Sequence, residues 1–223
     1  MKVFVSGYGK MGRMVEKNLA ERGIECAGVS DDIQSVDKSV AKESVCVDFT
    51  VPAAFRANYK FLADNFKAVV IGTTGWSDIK DEVISYFEKR GTPMIYASNF
   101  SIGVNVFFAV TDRVSKLLGK TGGYSPYMVE KHHVHKLDAP SGTAKSLADI
   151  IDANMGTHTE ISSVRCGEIP GIHSIGFEGA NDRITLTHEA FSREGFASGA
   201  VQAALMTEGM DGVREFKDLI LGD

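Results

Sequence analysis

The chain has 223 residues and a formal net charge of −5, which allows one large domain or two small ones with length enough to bury a core. Its 43% hydrophobic and 24% charged residues are those of an ordinary soluble globular protein, and a sequence pI of about 5.7 argues against a nucleic-acid binder, which needs a basic face. No run approaches a membrane span, and Met1 to Val5 reaches Gly7 too soon to hold the apolar core of a signal peptide. The three cysteines, Cys26, Cys46 and Cys166, lie far apart, as expected of buried, reduced thiols in a cytoplasmic protein.

Lys2 to Ser6 is a short β-branched and aromatic run that feeds into Gly7-Tyr8-Gly9-Lys10-Met11-Gly12, a Gly-x-Gly-x-x-Gly turn. Met11, Val15 and Leu19 follow at helical spacing, and Gly23 stops the helix. A second strand, Glu25 to Ser30, ends at Asp31, which lies 31 − 12 = 19 residues beyond the last glycine. A dinucleotide-binding fold places there the carboxylate that accepts hydrogen bonds from the adenosine ribose. Gly7 permits the tight turn, Gly9 the close approach of a pyrophosphate and Gly12 the packing of helix on strand. Such a turn alone is a weak signal, but its strand-turn-helix context and the acid at the right distance point to a cofactor.

The alternation repeats. Val45 to Phe49 reads as a strand, and Pro52 starts a helix marked by Phe55, Tyr59, Leu62 and Phe66. Ala68 to Ile71 is a continuous apolar run fit for a buried parallel strand, and it ends in Gly72-Thr73-Thr74-Gly75. Ile79, Val83, Ile84 and Phe87 give the next helix, stopped by Gly91, and Met94 to Ala97 a strand followed by Ser98-Asn99-Phe100-Ser101. This rhythm predicts an open parallel sheet covered on both faces by helices, with ligands beyond the carboxyl ends of its strands. Gly, Thr, Asn and Ser are common in ordinary turns; four such loops on one edge favour a nicotinamide pocket.

The rhythm breaks after Ser101. Phe107, Val110, Val114 and Leu117 mark a helix, and Gly122-Gly123 a loop. The stretch from Glu130 to Lys145 then holds three of the six histidines and three lysines. As a strand over Tyr127 to Lys136, it would carry His132 and Lys136 on one face and His133 and His135 on the other. Asp138 to Ser141 turns the chain, and Ala144, Leu147, Ala148, Ile151 and Met155 predict a helix capped by Ser141. The amides of Gly142 and Thr143 would face outward at its positive end, where an anion binds. No metal site is expected, for one short strand offers only alternate residues to an ion and no His-Glu-x-x-His pattern or cysteine pair completes a set. Taken alone, a charged solvent-facing strand explains the run equally well, and the glycine turn tips the balance.

Beyond that helix, Glu160 to Cys166, Ile172 to Phe177 and Arg183 to Glu189 alternate apolar and polar residues, which predicts a sheet with one face on helices and one free for subunit contact. Gly195 to Met210 reads as a last helix, and Phe216, Leu219, Ile220 and Leu221 as an apolar tail. The domains expected are residues 1–101 with 209–223 for the dinucleotide, and 102–208 for substrate binding and oligomerisation.

At Glu130-x-His-His-x-His-Lys-x-Asp-Ala-Pro-Ser-Gly-Thr-Ala the chain resembles the 4-hydroxy-tetrahydrodipicolinate reductases, formerly dihydrodipicolinate reductases, of the diaminopimelate route to lysine. Val47-Asp-Phe-Thr50, Gly72-Thr-Thr-Gly75, Ala97-Ser-Asn-Phe-Ser-Ile-Gly-Val-Asn105 and Ser192-Arg-x-x-Phe-Ala-x-Gly-Ala200 extend the resemblance nearly end to end. It implies an N-terminal Rossmann-like sheet with a second α+β domain, and hydride transfer from NADH or NADPH to a small dicarboxylate. His132 and Lys136 match the proton-handling pair, and His133, Gly142 and Thr143 the contacts to the substrate's carboxylates. Gly7, Tyr8, Gly9, Lys10, Met11, Gly12, Asp31, Gly72, Thr73, Thr74, Ala97, Ser98, Asn99 and Phe100 match the cofactor contacts. A homotetramer held by the β-rich domain is implied as well.

The chain departs from the pattern in places. Val134 stands where many members have Arg, which removes a cation near the dianion; the glycine turn is one residue shorter; and Ser98 replaces the usual Ala. Asp32 follows Asp31 where members that accept the phosphorylated cofactor often carry Arg. Two carboxylates repel a 2′-phosphate, whereas one accepts well from a 2′-hydroxyl, so NADH is the expected preference, with Lys10 and Arg13 the cations that oppose it. A different nicotinamide enzyme, such as an amino-acid or semialdehyde dehydrogenase, would explain the front half but leave the histidine cluster idle. A non-enzymatic dinucleotide sensor would need no proton donor.

Overall fold

In the computed structural model, which describes residues 1–222, β1 (Lys2–Ser6) runs into the glycine turn and then α1 (Lys10–Glu21), followed by β2 (Glu25–Ser30) and a short α2 (Lys38–Glu43). The winding continues through β3 (Ser44–Asp48), α3 (Pro52–Asn65), β4 (Ala68–Ile71), α4 (Lys80–Arg90) and β5 (Met94–Tyr96). With β10 (Val213–Glu215) these strands form a six-stranded sheet of order β10-β5-β4-β3-β1-β2 in which every pair is parallel. β3 and β4 are buried throughout, as the continuous apolar runs predict for strands covered on both faces. One core layer gathers Val3, Val5, Leu19, Val47 and Val70, and the other Phe4, Phe55, Leu62, Val69 and Phe87. The strand order reverses between β1 and β3, which makes the turn after β1 the switch point where an open sheet takes its ligand.

The chain leaves this unit at Ile102 and returns at Glu194. The return lies earlier than the expected residue 209, because α7 (Glu194–Met206) belongs with the first sheet. Its small side chains, Ala197, Ala200, Ala203 and Ala204, are fully buried in the same layer as Val3 and Val70. A Cβ at Gly199 would stand 1.7 Å from the Phe100 carbonyl oxygen, so only glycine lets helix and loop approach this closely. α8 (Phe216–Leu221) follows β10 directly, and Phe216 packs on Phe100 at 5.0 Å between ring centroids.

The second unit, Gly103–Arg193, comprises nearly all of α5 (Ile102–Thr121), then β6 (Ser125–His132), α6 (Gly142–Met155), β7 (Glu160–Arg165), β8 (Gly171–Glu178) and β9 (Arg183–Ala190). Its sheet has the order β7-β6-β8-β9, with β6 parallel to β7 and antiparallel to β8. The two helices cover one face through Phe107, Leu118, Leu147 and Ile151, which meet Met128, Ile175 and Phe177. Along the buried face of β6 the side chains change from Pro126 and Met128 to Glu130 and His132, so the apolar core gives way to a polar strip.

Two further expectations need correction. The histidine strand ends at His132 rather than at Lys136, because His133 N donates to Ile169 O at 2.8 Å, Val134 N to Gly167 O at 3.2 Å, and Lys136 N back to His133 O at 3.2 Å. That last bond is a turn, so alternation does not decide where His133, His135 and Lys136 face. Cys166 lies on an exposed loop, whereas Cys26 and Cys46 are part-buried and buried. Among the described residues no helix is long and apolar enough to cross a membrane.

Candidate functional site

The first unit builds its site from backbone. Gly7 has a φ of +86°, and a Cβ on it would lie 2.4 Å from the Phe49 carbonyl oxygen; a Cβ on Gly12 would lie 2.0 Å from that of Gly7. Gly9 differs, for a Cβ there would meet nothing within 4 Å, which leaves its outer side open to a ligand. α1 starts without a side-chain cap and without an acid in its first turn, so its leading amides are available to an anion. Asp31, just past the end of β2, accepts from Tyr8 N at 2.6 Å, and its second oxygen can accept from a ribose. These features fit a dinucleotide.

The loops after β3 and β4 join the same edge through a carboxylate of the Val47 to Thr50 stretch to which sequence analysis assigned no role. Asp48, the 1% exposed last residue of β3, accepts from Ser6 Oγ at 2.7 Å, Thr73 Oγ1 at 2.5 Å and Thr50 Oγ1 at 3.0 Å. Burial raises its pKa and the hydroxyls only partly oppose that. Thr73 also accepts from Thr50 N at 2.7 Å, which fixes the Gly72 to Thr74 loop. A cleft of about 220 Å³ is lined by Thr73, Thr74, Trp76, Lys80, Tyr96, Ala97, Ser98 and Glu215 among others. The expected cofactor residues are thus gathered at one sheet edge. Phe100 is 2% exposed and its ring joins the core, so only its backbone can face a ligand there.

The second unit builds its site from titratable side chains. Glu130, wholly buried, lies with Oε2 2.5 Å from His132 Nδ1 and Oε1 2.7 Å from Arg165 Nη2. Burial alone would raise its pKa, but Ser163, Arg165, His132 and Ser141 outweigh that and hold it at about 2. Burial lowers the pKa of His132, against the pull of Glu130, and takes His173 down to about 4. The rings of these two histidines stand 5.2 Å apart. His173 Nε2 contacts Ser141 Oγ at 3.1 Å, and Ser141 accepts from Ala144 N at 3.3 Å as the cap of α6. The cap leaves the amides of Gly142 and Thr143 for an anion, and a Cβ at Gly142 would meet nothing within 4 Å.

Of the other expected residues, Lys136 donates to Asp138 Oδ1 at 2.7 Å, and its charge is felt at both His132 and His173. His133 Nε2 lies 3.2 Å from an Arg193 nitrogen. His135 pairs with Glu168 on the surface, away from this group.

The family model described as "Dihydrodipicolinate reductase, N-terminus" matches residues 1–100, and "Dihydrodipicolinate reductase, C-terminus" matches residues 103–220. This chain belongs to the dihydrodipicolinate reductase family. It is 35% identical to a 4-hydroxy-tetrahydrodipicolinate reductase of Christiangramia forsetii over 99% of this chain and 98% of the relative. It is 36% identical to that of Archaeoglobus fulgidus over 92% and 93%. A dipicolinate-bound dihydrodipicolinate reductase from Paenisporosarcina sp. TG-14 has the same fold, with a TM-score of 0.80, 22% identity, and 96% and 97% of the two chains covered.

For a dihydrodipicolinate reductase the family motif flags Glu130 to Lys136 but says nothing of Arg165 or His173, which come from other strands. Register brings them in, for Glu130 pairs with His173 across β6 and β8, and His132 with Arg165 across β6 and β7. The one signal available in the sequence was the i, i+2 spacing of Glu130 and His132, which puts both on one face of a strand.

Proposed function

We infer that this chain reduces 4-hydroxy-tetrahydrodipicolinate to tetrahydrodipicolinate with NAD(P)H, in the diaminopimelate route of lysine biosynthesis. The observation that carries this reading is the near full-length identity to reductases of that name, in a chain that keeps the histidine-lysine motif intact. In the balance of the reaction the substrate loses one water and gains a hydride and a proton. Bound along Gly7 to Gly12, Asp31 and the loops at Gly72 to Thr74 and Ala97 to Phe100, a reduced nicotinamide supplies the hydride.

The proton is the task of the chain's own side chains. Lys136 carries a proton as an ammonium, held at 2.7 Å by Asp138, and gives it to the atom where negative charge develops. His132, kept neutral by burial at ordinary pH, takes and returns protons beside it. The amides of Gly142 and Thr143, with His133 and its neighbour Arg193, hold the substrate's carboxylates and orient its ring.

NADH is the preferred donor, since both Asp31 and Asp32 are exposed at the end of β2, where a 2′-phosphate would meet two negative charges. The chain works in the cytoplasm as a homotetramer joined through the sheet of the second unit. On the face of that sheet turned away from Met128, Val164 of β7, paired with Lys131, is 37% exposed, in support of a covered face in the assembly.

The test is loss of nicotinamide absorbance on adding freshly made substrate, with buffer-only and Lys136→Ala controls. Substrate-dependent oxidation that the substitution abolishes is expected. Cofactor binding without any such oxidation would replace this reading with that of a dinucleotide sensor.

A further inference from the structure

The polar strip at the end of β6 contains a residue to which the reaction as described gives no task. Glu130 is buried completely, sits two residues before His132 on the same strand face, and points Oε2 at His132 Nδ1 from 2.5 Å. Neither of these two atoms has an aligned hydrogen-bond partner, although leaving either unsatisfied in a buried place is costly. Each is therefore the other's natural partner, and the pair is satisfied when Nδ1 carries a proton. We propose that Glu130 is a positioning residue of the reaction, fixing the proton of His132 on Nδ1 and leaving Nε2 as the nitrogen that exchanges protons; this rests on the role of His132 given above.

Three further observations support the assignment. The carboxylate cannot swing away, because Arg165 holds Oε1 at 2.7 Å and Ser163 also hydrogen-bonds it. It stays ionised at any pH where the enzyme works, since its pKa is held at about 2, so it can orient His132 without taking the proton itself. At the other side of the ring Gly171 keeps space, for a Cβ there would stand 3.1 Å from His132 Nε2.

A metal ion is the competing occupant. Glu130, His132 and His173 bring three ligand atoms within 4.8 Å of one another, a set of types that suits a divalent ion. The guanidinium on Oε1 weighs against it, because a dication would sit beside a buried positive charge.

The charged and titratable groups that bear on His132 and its neighbour are Glu130 on its own strand, Lys136 after it, Arg165 on β7, His173 on β8 and His188 on β9. The experiment compares the full-length chain with Glu130→Gln and Glu130→Asp. Steady-state kinetics over pH are read beside ¹⁵N imidazole NMR of His132, and beside NADH titration by fluorescence. Glu130→Gln is expected to lower kcat on the order of 10²-fold, with KM for the substrate and the affinity for NADH little changed. The pH limb set by His132 should move to lower pH as the imidazolium loses its counter-charge. The NMR spectrum should show a smaller share of the Nδ1–H form, because a neutral amide oxygen accepts less strongly than a carboxylate and its NH2 can compete for Nδ1. Glu130→Asp should restore part of each.

Wild-type kcat in Glu130→Gln, or a fall in kcat with the pH limb and the NMR tautomer unmoved, would overturn the proposal. Should Glu130→Gln fail to fold, Ser163→Ala, which loosens the carboxylate from an exposed position, must show the same shifts in smaller measure. The NMR arm needs no turnover. An inactive wild type with an Nδ1–H His132 that depends on Glu130 would therefore sink the function while sparing the dyad.

Discussion

Among the described residues each unit buries one carboxylate on a strand at the end where its ligand is expected, and the shifts of the two are opposite in sign. Asp48 in the first unit faces only hydroxyls, from Ser6, Thr50 and Thr73, and its pKa is raised. Glu130 in the second faces hydroxyls and the guanidinium of Arg165, and its pKa falls to about 2. Burial by itself pushes a carboxyl upward, and a single cation in contact reverses the outcome. The difference follows the two kinds of site. Asp48 braces an edge built from backbone and glycine turns, whereas Glu130 lies among side chains that titrate. A site of the first kind is broken by adding atoms, and one of the second kind by removing them.

The largest effect expected comes from removal in the second unit. Lys136→Ala should lower kcat by roughly 10² to 10⁴-fold and raise KM far less; the reverse split in steady-state kinetics would demote Lys136 to a binding group. Addition in the first unit comes next. Gly12→Val would press a side chain onto a carbonyl oxygen 2.0 Å from the Cβ position, so NADH titration should show lost affinity and melting should show a cost of about 1–3 kcal/mol or more. A valine enzyme that binds NADH normally would mean that the turn does not hold the cofactor.

Acid should separate the units. Glu130 contributes stability above its unfolded pKa of 4.5, and this is lost as pH falls towards about 2. His173, depressed from 6.5 to about 4, is buried neutral and favours unfolding increasingly as pH falls through that window, as does His132 in direction. Asp48 acts the other way, because a raised folded pKa gives stability that is present at low pH and lost as pH rises through it. The chain's one tryptophan, Trp76, is buried in the first unit. Its fluorescence on acidification should therefore change at lower pH than the histidine resonances of the second unit, and coincident transitions would refute the contrast. The smallest effect expected is on cofactor choice. Asp32→Arg should move the kcat/KM ratio of NADPH to NADH upward by about tenfold, the worth of one added charge-assisted contact. Equal efficiency of the two cofactors in the unaltered enzyme would reject the stated preference.

Much of this was legible in the sequence, and the reasons are local. β4 runs over the residues that composition marked, because a buried parallel strand between helices announces itself by a continuous apolar run, and β2, an edge strand with no buried residue, was placed between Gly23 and Asp31. The cap of α6 was legible too, since Ser141 before an apolar helical stripe is a local signal. β10 was not, for three residues are too few to show a period. The end of β6 was missed because it depends on carbonyls of Gly167 and Ile169 more than thirty residues away. The return of the chain at Glu194 was missed because α7 is rich in alanine, a composition that does not say which sheet it covers. Glu130 is visible in the motif, but its grip by Arg165 and its nearness to His173 rest on strand register, which no spacing along one strand encodes.

The edge strand β10 and the helices α7 and α8 of the first unit come after the whole of the second unit in the chain. On the ribosome, then, residues of the second unit are all made before the nucleotide fold has its full complement of strands. The half-finished first sheet must wait with β5 unpaired on one side and the aliphatic layer above Val70 bare. A gene fragment stopping short of Glu194 would yield an incomplete nucleotide-binding unit, prone to stick to its neighbours, however good its glycine turn.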